Sequence, residues 1–217
     1  MNNLLHALSY LIVIRIIVQV MLGLNVRDED RLPNKGPAII LLNHRSHWDS
    51  LILFSLLPQT VLNSVKTFST TDYFAQNPTV AWFYQTVIGI QPIAETPIST
   101  ADQQNTNPLQ PCFEALSNKQ IVILFTDDNL SKQKPLSEFR DNLEELSQAY
   151  PQVPIIPVEL RGLGNEVPED RTLFTPSFCD VFIGQPINAS GDCDDFNQQL
   201  NDSVKQLNDD GIKAGWS

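Results

Sequence analysis

The stretch that decides the fold is "AIILLNHRSHWDSLILFSLL", residues 38–57. It opens on five apolar positions with no alternation, too short for a helix. That is the pattern of a strand buried on both faces, as in a parallel sheet. The run breaks at the polar residues Asn43 to Ser46, and "WDSLILFSLL" then reads as a helix stopped by Pro58. Strand, polar junction and helix together make the repeating unit of an α/β fold.

Outward from this stretch the same alternation continues. "PCFEALSNK" reads as a short helix and "QIVILFT" as the clearest strand of the chain. "SEFRDNLEELSQAY" carries Phe139, Leu143, Leu146 and Tyr150 at helical spacing. "VPIIPVEL" and "CDVFIG" read as late strands, and residues 194–209 as a polar closing helix. Weaker strands are expected at 61–67 and 88–93, with a helix between them that breaks near Pro78. No repeat or linker divides the chain. The expected architecture is one α/β domain, a mostly parallel sheet flanked by helices, with an apolar helix at the N-terminus.

The chain of 217 residues is 42% hydrophobic, enough for a substantial core. Its net charge of −11 is uneven. Residues 1–66 hold six Lys/Arg against four acids, and the remainder holds eight against twenty-one. Such an acidic surface excludes nucleic acid as a partner, since phosphate binding needs clustered cations. The three cysteines share no metal-ligand spacing and suit reduced thiols facing the cytosol.

Residues 4–24, "LLHALSYLIVIRIIVQVMLGL", are the most apolar part. Their length suffices to span a bilayer core, which needs about 20 residues. Arg15 stands in the middle at a cost of about 2.5–3.5 kcal/mol on insertion scales. No basic leader or cleavage site marks a signal peptide. The expectation is a membrane-associated helix over residues 1–26, spanning or dipping, ahead of a domain over 27–217. A buried first helix of the domain is the alternative.

His44 and Asp49 lie five residues apart, which on a continuous helix turns them about 140° from each other. A turn between strand and helix lets them meet. Asp49 would then fix one imidazole nitrogen, leaving the other to take a proton from an attacking hydroxyl. The same residues also fit a capping box, with Ser46 as N-cap and Asp49 returning to the backbone. A metal site is a weaker fit. The chain's other histidines are His47 and His6, the latter inside the apolar segment, and no metal is expected. No G-x-S-x-G elbow supports a serine hydrolase.

The heptad Asn43-His44-Arg45-Ser46-His47-Trp48-Asp49 resembles the N-H-x-S-x-x-D signature of the glycerophospholipid (1-acylglycerol-3-phosphate) acyltransferases. Later blocks follow in order. Val65-Lys66 resembles the family's lysine-bearing strand. Gly89 to Glu95 stands where the family has G-x-x-P-x-x-R, and Phe125 to Ser131 where it has F-P-E-G-T-R-S. Phe139-Arg140 matches the F-[KR] pair, Val153 to Val158 matches V-P-I-x-P-V, and "IGQPI" at 183–187 is similar to I-G-x-P-I.

The resemblance implies an acyl transfer from acyl-CoA or acyl-carrier protein to a hydroxyl or amine. His44 would be the general base and Asp49 its orienting carboxylate. Lys66, Asp127, Arg140, Asn43 and Ser46 would contact substrate. No cofactor beyond the donor is implied. A membrane lipid is the expected partner, at the cytoplasmic face of a membrane. Two departures concern the acceptor. The arginines of the second and third blocks are Glu95 and Leu130 here, and the third block's glycine is Asp128. Arginine's planar fork suits phosphate, and glutamate repels it. The acceptor implied is therefore not a standard glycerol phosphate, although a rearranged pocket for a lysophospholipid stays open. The other reading is a non-catalytic lipid-binding or interaction module that keeps the fold.

Overall fold

A computed structural model describes residues 23–44, 47–69, 109–127, 136–162, 179–188 and 193–213. In chain order the strands are β1 (Leu24–Arg27), β2 (Ala38–His44), β3 (Val65–Ser69), β4 (Ile121–Asp127), β5 (Ile155–Arg161) and β6 (Cys179–Ile183). The helices are α1 (His47–Leu56), α2 (Gln59–Leu62), α3 (Gln110–Ser117), α4 (Leu136–Ala149) and α5 (Cys193–Lys213).

The strands form one six-stranded sheet in the order β1-β6-β5-β2-β4-β3. From β5 to β3 all neighbours are parallel, so β2, β3, β4 and β5 end at the same edge. β6 runs antiparallel to β5, and β1 parallel to β6. The mostly parallel sheet and its helices are the architecture expected from the sequence.

The two central strands are buried because both their faces are covered. Alternate positions of β2 enter different cores. Ala38, Ile40 and Leu42 pack with α1 through Ile52, Leu53, Phe54 and Leu56, and with Leu57 just after it. Ile39 and Leu41 pack with α3, α4 and α5 through Leu116, Leu143, Leu146, Phe196 and Leu200. Each such side chain contributes about 1.5–3 kcal/mol when taken from water. A one-residue slip of β2 would exchange the two sets, so the register is fixed from both sides. The α3–α4 seam is closed further by Tyr150, whose hydroxyl donates to the Phe113 carbonyl at 3.0 Å.

Three boundaries differ from the sequence reading. The N-terminal helix does not reach residue 26, because Leu24–Arg27 is the edge strand β1. Gly23, at φ 47°, turns the chain into it in a conformation few other residues adopt. Residues 1–22 of that segment lie outside the described residues, as do 88–93 and the helix expected before them. The weak strand at 61–67 divides. Gln59–Leu62 is a helical turn after Pro58, burying Val61 and Leu62, and the strand begins only at Val65. The closing helix continues to Lys213 through Gly211. A Cβ there would lie 2.5 Å from the Arg161 guanidinium carbon, so a larger residue would have to displace that side chain.

Candidate active site

β2 carries the sequence from its buried start to Asn43 and His44 at the edge where the parallel strands end. The register sets Asn43 beside Thr126 and His44 beside Asp127, the last residue of β4. Position 44 continues the Ala38, Ile40, Leu42 series, the positions packed under α1. α1 begins three residues later, and Asp49 lies in its first turn. His44 and Asp49 therefore do not lie on one continuous helix.

Asp49 is 2% exposed, the most deeply buried of the charged residues among those described. An isolated carboxylate at that depth is costly, so its environment must hold its charge. The positive end of the α1 dipole lies beside it and contributes part of that. Asp49 is engaged in an interaction within the protein. Its field also reaches the start of β6. Burial pushes the Cys179 thiol up to about 12, and the charges of Asp49 and Asp180 add to the rise. A backbone hydrogen bond with Arg161 opposes it. Burial alone pushes Cys112 to about 12. Neither thiol is a nucleophile at neutral pH, since the thiolate is the reactive form.

The other residues read from the sequence are partly gathered here. Asn43 and Asp127 are at the edge with His44. Arg140 lies in the second turn of α4, the helix that follows β4. Ser46 lies outside the described residues, as do Glu95, Asp128 and Leu130. Lys66 is not at this edge. It shares a rung with Val122, five positions before Asp127 on β4. At about 3.3 Å per residue that is some 17 Å away along the strands.

The sequence reading missed what β6 and β5 bring to the edge. Because β6 is antiparallel, its first residues, Cys179 and Asp180, stand at the ends of β5 and β2. Asp180 accepts a hydrogen bond from the Asn25 amide at 2.6 Å. On the α5 face, Glu159 Oε1 accepts from Arg161 Nε at 3.0 Å and lies 2.9 Å from Nη2. Among the described residues no group of three or more His, Cys, Asp and Glu side chains gathers as a metal site. No described helix is long and apolar enough to cross a membrane.

The family model of acyltransferases matches residues 23–161, from the turn into β1 to the last residue of β5 and well over half of the chain. Among solved structures, the chain is similar to the 1-acyl-sn-glycerophosphate (LPA) acyltransferase PlsC from Thermotoga maritima. The superposition has a TM-score of 0.61 and 18% sequence identity, and covers 95% of this chain and 81% of the other. At that identity the likeness is one of fold. No curated protein sequence matches the chain.

Proposed function

The chain belongs to the acyltransferase family, and from that premise we propose that it moves a fatty acyl group from a thioester donor to a hydroxyl or amine, with His44 as general base and Asp49 as the carboxylate that orients it. The observation that carries this reading is the junction between β2 and α1. A histidine position at the tip of a central strand is followed, after one turn of chain, by an aspartate that is 2% exposed. A carboxylate serving only as a helix cap does not require such depth. One that must stabilise an imidazolium gains strength as water is excluded.

The reaction assigns one task to each group. The imidazole takes the proton of the acceptor as its oxygen or nitrogen attacks the thioester carbonyl. Asp49 fixes the tautomer and balances the charge that forms on the ring. The thiolate leaving group then departs with the proton held by the base. Asp127, the partner of His44 across the β2–β4 ladder, is the residue assigned to the acceptor in this reading.

The acceptor proposed lacks the usual glycerol phosphate. Support comes from Glu95 and Leu130, which stand where the resembled family has arginines, and from Lys66, which stands well below the catalytic edge. A neutral or amine-bearing lipid fits these departures. Labelled long-chain acyl-CoA and acyl-carrier protein, incubated with a total lipid extract, test the reading. The expected result is a product that His44→Ala abolishes at equal folded protein. A product that survives His44→Ala removes the histidine from the chemistry.

Membrane attachment is proposed through residues 1–22. β1 runs parallel to β6, so Leu24 lies beside Cys179 at the catalytic edge. The apolar segment thus joins the domain on the side of the sheet where lipid substrates would arrive, about three strand spacings or 14 Å from β2. Removing residues 1–22 should release the protein from the membrane pellet with its fold intact. Removing residues 1–27 should also destabilise it, because β1 and the Asn25–Asp180 hydrogen bond are lost. Retention of the shorter truncation in the pellet would count against this anchor.

A further inference from the structure

The apolar N-terminal segment joins the sheet at Gly23, and strand register fixes where that is. Leu24 pairs with Cys179, and Asp180 pairs with Arg161. The first residue of β1 is therefore one rung beyond the last residue of β5. Continued from Leu42 and Val158, the β2–β5 register brings Arg161 level with position 45, just past His44. Residues 1–22 thus join at the edge that carries His44, two strand spacings or about 10 Å to the side of β5.

α5 arrives at the same edge. The place of a Cβ on Gly184 is 3.0 Å from Ser203 Oγ, near the middle of the helix, and 2.6 Å from Pro157 Cγ. Gly211 is against the Arg161 guanidinium, the place of its Cβ 2.5 Å from the guanidinium carbon. From Ser203 to Gly211 a helix rises about 12 Å, and from Pro157 to Arg161 a strand rises about 13 Å. The helix therefore runs alongside β5 and ends with it. Its apolar positions Phe196, Leu200 and Leu207 are buried along the way.

The residue after Gly211 breaks that pattern. Ile212 is 61% exposed, and no other large apolar side chain among the described residues is exposed. One isoleucine on a surface means little by itself. Its place gives it meaning, one residue past the contact with Arg161, at the edge where the apolar segment joins. Lys213 beside it has an exposed side chain, of a kind that lays its stem along lipid and keeps the ammonium in water. In the sequence Trp216 follows, a residue type enriched at membrane–water interfaces.

We propose, on the premise that residues 1–22 attach the protein to a membrane, that the end of α5 makes a second contact with the bilayer through Ile212. The His44 edge then faces the lipid surface, and the acyl chain and lipid acceptor reach it from there. A single isoleucine cannot anchor a domain, since even one myristoyl chain binds only marginally. Its task is orientation. Residues 1–22 bring the domain to the bilayer, and Ile212 selects the edge that meets it.

The test places an environment-sensitive dye on Ile212→Cys in the full chain with Cys193→Ala, since Cys112 and Cys179 are buried. A second variant carries the dye on Lys35→Cys. Lys35 is exposed ahead of β2, and the adjoining Gly36 packs on Lys119 just before β4, so it marks the opposite edge. Both proteins are bound to phosphatidylcholine vesicles with and without brominated acyl chains. The expected result is a blue shift and quenching by brominated lipid for the dye at Ile212, and neither for the dye at Lys35. Vesicle-bound protein with no quenching at Ile212, or with equal quenching at both positions, would overturn the second contact and leave the anchor standing. Protein that does not float with the vesicles would overturn the anchor, and the second contact with it.

Discussion

Two buried carboxylates stand near the same edge of the sheet, and they differ in what holds them. Glu159 is on the α5 face, 8% exposed, with the Arg161 guanidinium on its Oε1 and Gly211 closing over the pair. Asp49 is on the α1 face, 2% exposed, in the first turn of the helix that begins three residues after His44. The first pair is complete within one strand, two residues apart. The second, in the reading proposed above, serves across a strand–helix junction a group that gains and loses a proton. Burial of a carboxylate therefore does not mark a site by itself. The identity of its partner does.

The comparison breaks if the two residues respond alike to neutralisation. The largest expected effect on stability is at Glu159. Glu159→Gln leaves the Arg161 guanidinium buried without its countercharge, which costs about 3–5 kcal/mol. Urea unfolding should show that loss, while the rate per folded molecule with acyl-CoA stays within about threefold of wild type. A stability change below about 1 kcal/mol would mean that the pair is solvated after all.

A smaller effect sharpens the comparison at the cysteines. The folded state raises Cys179 and Cys112 from 9.0 to about 12, favouring the neutral thiol. The stability this confers is fully present below pH 9 and is lost as pH rises from 9 through about 12. Asp49 contributes to the shift at Cys179 and not to that at Cys112. Asp49→Asn should therefore lower the midpoint of the Cys179 thiolate absorbance, read in a Cys112→Ala, Cys193→Ala background. Glu159→Gln should leave it unmoved. A midpoint unchanged by Asp49→Asn would separate that carboxylate from the start of β6.

Much of the fold was legible because the central strands are covered on both faces. "AIILL" and "IVIL" have no polar position, and β2 and β4 lie where those runs predict. Edge elements were harder. β1 is four residues long with alternating exposure, and its sequence "LNVR" merges into the apolar run before it. Val61 and Leu62 are buried by a helical turn, so their apolar character pointed to a strand that starts at Val65. Gly211 reads as the end of a helix. It lies inside one, with the Arg161 side chain packed where its Cβ would be.

The site was legible in part for a related reason. The link between His44 and Asp49 is local, so spacing and a turn suffice to propose it. Register and strand direction are not local. Nothing in "VKTF" says that Lys66 stands beside Val122. Nothing in "CDVFI" says that the strand runs backwards and delivers Cys179 and Asp180 to the edge that carries His44. Those facts belong to the pairing of distant segments, which side-chain pattern alone leaves undetermined.

The most direct test of the central claim is the steady-state rate of Asp49→Asn with acyl-CoA, measured beside its unfolding midpoint. Asparagine keeps the shape and removes the charge that orients the base and stabilises its cation. The account predicts a fall in kcat of about 10²-fold or more, within the range for a positioned acid–base group, with the midpoint little changed. A variant that keeps the wild-type rate would contradict it, and Asp49 would then be the cap of α1 and nothing more.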